Sequence, residues 1–249
     1  MKALYSISMV ATAAMLAFNV PVHAASTDSR IESSAKQSYV FKTYLKGDDI
    51  KVQSKDGAVT LTGTVLEESH KSLAQETVAS LPGVKSVDNK LELKGTPPTE
   101  NSDAWLITKV KTTLLFHRSV RAGTTEVDAK DGVVTLRGVV ANQAQKDLTT
   151  EYAKDVEGVK DVNNEMTVKI VKNKRTVGEK IDDASITSQV KMTLLYHRST
   201  SALSTKVTTK NGIVTLSGKA DNLAQFNLAA KLAGDVNGVK SVKNLMSVE

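Results

Sequence analysis

Histidine, arginine, lysine and tryptophan at particular spacings are the residues of this 249-residue chain that could do chemistry. Two of its four histidines stand in matching tetrapeptides 80 residues apart, Phe116-His117-Arg118-Ser119 and Tyr196-His197-Arg198-Ser199. An imidazole beside a guanidinium suits contact with a phosphate or lipid headgroup. The same two cations at the C-terminal end of a helix would simply complement its dipole, and the sequence leaves both readings open. A metal site is not expected, because these histidines come without a recurring third ligand and the chain has no cysteine. No paired carboxylates and no Gly-rich phosphate loop recur either. The chain therefore reads as a non-enzyme with no cofactor and no small-molecule substrate.

A second constellation lies just before the first histidine pair. At about 100° per residue, Trp105, Lys109, Thr112 and Phe116 share one side of a helix, opposite Leu106, Ile107, Val110 and Leu114. Tryptophan, lysine and phenylalanine on one stripe make an amphipathic interfacial set suited to a lipid surface. The alternative is that Trp105, the single tryptophan, packs under a linker or against a neighbouring part of the chain. The candidate lipid-binding residues are thus Trp105, Lys109, Thr112, Phe116, His117, Arg118, His197 and Arg198.

The elements that must position these residues are written three times. A hairpin signature runs Lys55–Gly63, Lys130–Gly138 and Lys210–Gly218, and Gly-Val-Lys-x-Val-x-Asn begins at Gly83, Gly158 and Gly238. In the second copy Asp103 is expected to cap a helix ending near His117. Strands over 124–130 and 133–139 follow, joined by Asp131-Gly132, the two-residue signal for a type I′ hairpin. A second helix is predicted over 142–156, stopped at Gly158, and a third strand over 159–168. Asn164, matched by Asn89 and Asn244, is expected to be a hydrogen-bonded structural residue. The result is an α+β chain of three tandem α-β-β-α-β domains, each a three-stranded mixed sheet covered on one face by two helices. The domains are placed at 28–95, 103–171 and 183–249, each expected to fold as its own unit with contacts between copies adding stability.

The first 24 residues read as a signal peptide: Lys2, an apolar run from Ala3 to Val20, and Val22-His23-Ala24 as the cleavage-like end. This implies export, most simply to a periplasm. The formal charge of +6 is uneven. Copies one and two each balance 10 basic against 10 acidic residues, whereas copy three carries 8 against 4. A positive third copy suits an anionic lipid surface, and nucleic acid is not expected as a partner outside the cytoplasm. The linker 95–102 holds Pro97-Pro98 and should be stiff, whereas the basic linker 170–182 is longer, which makes copy three the more mobile.

The element order, the hairpin signature and the closing Gly-Val-Lys-x-Val resemble the BON family, across all three copies. This chain differs from two-copy periplasmic members by its third copy, and from lipoprotein members by lacking a cysteine for lipid attachment. The start of the second copy, Asp103-x-Trp105-Leu106-x-Thr108-Lys109, is similar to a lipid-contacting helix in that family. The resemblance implies a periplasmic, non-enzymatic protein that binds phospholipid surfaces and supports envelope integrity under osmotic or other stress. The alternative reading is a periplasmic chaperone or scaffold whose partners are envelope proteins.

Overall fold

The computed structural model describes residues 22–96, 98–100, 102–120, 124–169, 180–200 and 204–249. The expected signal peptide lies almost wholly outside the described residues. No helix among the described residues is long and apolar enough to cross a membrane.

Each copy has the predicted order. Copy one runs α1 (Val22–Gln37), α2 (Tyr39–Thr43), β1 (Asp49–Lys55), β2 (Ala58–Val65), α3 (Glu68–Ala79) and β3 (Ser86–Leu93). Copy two runs α4 (Asp103–Phe116), β4 (Thr125–Lys130), β5 (Val133–Val140), α5 (Gln143–Lys154), β6 (Asp161–Asn164) and β7 (Thr167–Val168). Copy three repeats this as α6 (Asp183–Tyr196), β8 (Thr205–Lys210), β9 (Ile213–Ala220), α7 (Leu223–Asp235), β10 (Ser241–Asn244) and β11 (Ser247–Val248). The middle strand of every sheet pairs antiparallel with its hairpin partner and parallel with the closing strand.

Local chemistry explains these elements. Asp131 and Gly132 both take positive φ, 54° and 85°, as a type I′ turn requires. Asp103 does not cap its helix. Ser102 accepts the Trp105 N–H at 3.3 Å, and the Asp103 carboxylate instead takes the Asp131 and Gly132 N–H groups of the hairpin turn. Asp28 and Asp183 hold the other two turns in the same way. In copy one the first helix is broken at Ser38, whose hydroxyl donates to the Ala35 carbonyl at 2.7 Å and so competes with the helix ladder.

Asn164 does the structural work expected of it. Its amide donates to the Lys146 carbonyl and the Thr150 hydroxyl of α5, and its oxygen accepts the Met166 N–H between β6 and β7. Asn89 and Asn244 also tie sheet to helix.

The three cores are not separate. Copies two and three bury one continuous cluster that includes Leu106, Val110, Leu136, Val156, Ile186, Val190, Leu216 and Val236. Copy one's cluster takes in Phe116 from copy two and Ala184 and Met192 from copy three. The expected mobility of copy three is overturned by this packing, because α6 lies between the other copies and is buried without a break from Ala184 to Val190. Short polar side chains let the neighbours approach α6 closely and bond to it. Ser185 accepts the Val40 N–H, Ser188 accepts from Thr77 at 2.9 Å, and Lys191 pairs with Glu76 at 2.6 Å. Asp182 caps α6 and also takes the Tyr39 N–H of α2.

Candidate functional site

The two His-Arg pairs form a reciprocal clasp between copies two and three. Each follows the first helix of its copy and meets the end of the second helix of the other. His197 Nε2 lies 3.0 Å from Asp155 Oδ2, and His117 Nδ1 lies 3.3 Å from Asp235 Oδ2. The second contact has ion-pair distance but is bent away from hydrogen-bond geometry, and His117 stacks on Tyr152 with ring centroids 3.8 Å apart.

The arginines finish the clasp by capping carbonyls. The Arg198 guanidinium donates to Lys154, Val156 and Val159, and Arg118 donates to Gly234 and Val239. Their backbone N–H groups donate to the Asp155 and Asp235 carbonyls, at 2.8 and 3.0 Å. Copy one has neither half of this device: Lys42 and Thr43 replace His-Arg, and Ser80 replaces the aspartate.

Burial sets the electrostatics. Desolvation pushes the His197 imidazole below its usual range, against an opposing pull from Asp155. Burial raises the Asp235 carboxyl, but contacts from His117, Ser119 and Tyr152 outweigh it and leave the group below the ordinary carboxylate value.

Several candidate lipid contacts are therefore displaced from the surface. His117 is 2 % exposed, His197 4 %, and both serve the clasp. Phe116 is fully buried, with its ring 5.4 Å from that of Tyr44 in an edge-on contact, and Thr112 is buried with its hydroxyl bonded to the Thr108 carbonyl. Arg118 and Arg198 remain exposed in part, yet their donors are engaged by carbonyls across the clasp. The helix face read as pointing to a membrane is instead largely covered by copies one and three.

Trp105 and Lys109 stay half-buried at the rim of this packing. The Lys109 ammonium sits 3.6 Å from the Trp105 ring centroid and 3.9 Å from Glu157. Burial lowers the Lys109 pKa, with Glu157 and Glu100 pulling the other way. Both side chains line a groove of about 550 Å³ with Leu66, Leu93, Pro98 and Tyr196, so copy one, the first linker and copies two and three all contribute. Among the described residues no cluster of histidines and carboxylates is placed to hold a metal ion.

A fold of hairpin, parallel closing strand and two helices on one face, repeated three times, defines a small α+β module. The model of the BON domain matches residues 27–95, 102–170 and 182–249, and the chain belongs to that family. It is 33 % identical over 183 residues to Osmotically-inducible protein Y of Escherichia coli, covering 74 % of this chain and 87 % of that protein. It is 34 % identical over 148 residues to the outer membrane lipoprotein DolP of Haemophilus influenzae, covering 59 % of this chain and 75 % of the relative. The C-terminal domain of CdsD, a structural protein of the Type III secretion system of Chlamydia trachomatis, aligns over 88 % of this chain and 95 % of its own at 16 % identity. Its TM-score is 0.24, too low to bear on the arrangement of the copies.

Proposed function

We propose that this chain is an exported, non-enzymatic envelope protein of the periplasm that attaches to anionic phospholipid surfaces under osmotic or related stress. The observation that carries the reading is the charge asymmetry of three otherwise equivalent copies, with 8 basic and 4 acidic residues in copy three against balanced copies one and two. A one-sided positive surface is drawn to an anionic leaflet and screened within about 8 Å at physiological ionic strength. The names of the two relatives, one osmotically inducible and one an outer membrane lipoprotein, support the compartment and the setting. The apolar run before Val22-His23-Ala24 supports export. Of the candidate lipid contacts, Trp105 and Lys109 lie half-buried at the rim of the groove, and the reading does not depend on them.

The test is sedimentation of the mature protein with phosphatidylglycerol vesicles and with phosphatidylcholine vesicles at low and high salt. Binding to the first alone, weakened by salt, is expected. Equal binding to neutral vesicles, or none to either, would remove the reading.

A second reading, a chaperone or scaffold for envelope proteins, has one observation in its favour. Among the described residues the outer strands β1, β4 and β8 each pair on one side only, which leaves an edge for an extended segment. Suppression of client aggregation by the lipid-free protein would support it.

A further inference from the structure

The helices cover one face of each sheet, and in copy three α6 is itself covered by the other copies, so the surface that copy three keeps free is the opposite sheet face. The three copies share one register, which allows that face to be compared position by position. In copy two it is neutralised from within: Arg137 on β5 lies between Asp128 on β4, at 2.5 Å, and Glu165, at 2.9 Å. At these three positions copy three has Ser217, Thr208 and Leu245. Where copy two has Glu126 and Asn163, copy three has Lys206 and Lys243, and Lys210 matches Lys130.

The face that results is basic and hydroxyl-rich. Lys206 stands opposite Ser217, and Thr208 and Lys243 both stand opposite Thr215. Lys219 is paired with Glu249, but among the described residues Lys206, Lys210 and Lys243 have no carboxylate within ion-pair distance. Leu245 lies between the inward-facing Asn244 and the buried Met246, and is 67 % exposed. Its counterparts are Glu165 and Lys90.

We infer that the outer sheet face of copy three is the surface by which the chain docks on an anionic lipid bilayer. Lys206, Lys210 and Lys243 meet headgroup phosphates, and Leu245 enters the interface beneath them. The inference rests on the membrane reading above and assigns it a different face from the Trp105 groove. That groove is ringed by Glu67, Glu68 and Glu100 against Lys94 and Lys109, a balance that does not favour an anionic headgroup. A bilayer suits the sheet face better than a soluble polyanion does, because an exposed leucine among lysines gains from an apolar layer under the charge, which a polyanion lacks. Each lysine near an anionic leaflet is worth about fivefold in partitioning, so three together give roughly a hundredfold.

The experiment uses the full mature chain and vesicles of mixed phosphatidylglycerol and phosphatidylcholine. Lys206→Gln/Lys210→Gln/Lys243→Gln is expected to lose roughly a hundredfold in binding, with its thermal melt unchanged. Lys51→Gln/Lys55→Gln, on the corresponding face of copy one, and Trp105→Ala are expected to keep most of it. Leu245→Ser is expected to weaken vesicle binding while leaving binding to soluble polyphosphate unaltered. If the wild type binds vesicles and the triple variant binds equally well, this face is wrong although the membrane reading stands. If the wild type binds no anionic vesicle, both fall. Binding to polyphosphate as tight as to vesicles, with Leu245→Ser changing neither, would make the partner a soluble polyanion and overturn the inference.

Discussion

The Tyr152 hydroxyl of copy two donates to the Asp235 carboxylate of copy three at 2.6 Å, and this bond has no reciprocal, because Leu232 occupies the position equivalent to Tyr152. The clasp is therefore symmetric in its backbone and lopsided in its side chains. Asp235 gathers Tyr152, Ser119 and His117 with its side chain 16 % exposed, whereas Asp155 meets His197 with its side chain 47 % exposed.

Asp235→Ala should consequently cost far more than Asp155→Ala. Asp235 is half-buried and accepts hydrogen bonds from Tyr152 and Ser119, each worth about 1.5–3 kcal/mol when made to a charged group, against about 1 kcal/mol for the more exposed Asp155. Urea denaturation of the two variants reads the difference, and equal losses would refute the asymmetry.

Stability should fall on acidification in two stages. The His197 imidazole is held below its usual value, so the folded protein favours the neutral ring and the unfolded chain takes up the proton first. That contribution is complete above roughly pH 6.5 and is lost as the pH drops below it. Asp235, also held low, contributes above the ordinary carboxylate range and loses its share only in stronger acid. Melting temperature against pH should show both stages, and His197→Gln should abolish the first while sparing the second. A melting temperature that climbs between about pH 7 and pH 5.5 would contradict the sign.

Asn164→Ala should destabilise by about 1–3 kcal/mol, since it leaves the Met166 N–H without its acceptor and removes the amide that joins the strand to the Lys146 carbonyl and the Thr150 hydroxyl. Asn163→Ala, one residue earlier on the exposed face, should change stability by no more than about 0.5 kcal/mol. Chemical denaturation of both variants reads the contrast, and similar losses would show that position 164 is not a special tie between sheet and helix.

Copies two and three should unfold together. Their apolar side chains form one cluster, so neither half melts without exposing the other. Calorimetry of the full chain is expected to give a single transition for these two copies, and two resolved transitions would restore the independence that the sequence suggested.

The elements of each copy were legible because their causes are local. Asp131-Gly132 dictates its own turn, Val134 and Leu136 alternate with outward residues, and Asn164 announces itself by recurring among apolar positions. The clasp was not, because its causes lie between copies. His117-Arg118 looked like helix-end cations, and nothing along the chain pairs them with residue 235. The helix face of Trp105, Lys109, Thr112 and Phe116 was read outward for the same reason, since a single helix shows which side avoids its own core and not what else covers that side. One clue was available. Copy one lacks His-Arg and also lacks the aspartate, and two such losses in the same copy tie the positions together.

That paired absence has a consequence for how molecules of this protein meet. Both halves of the clasp in copies two and three are satisfied within one chain, and copy one carries neither. Within this chain no clasp half is left over to recruit a second molecule. The third copy thus closes a valence that two matching copies on separate chains would have to fill by pairing, and it turns a concentration-dependent association into a fixed internal one.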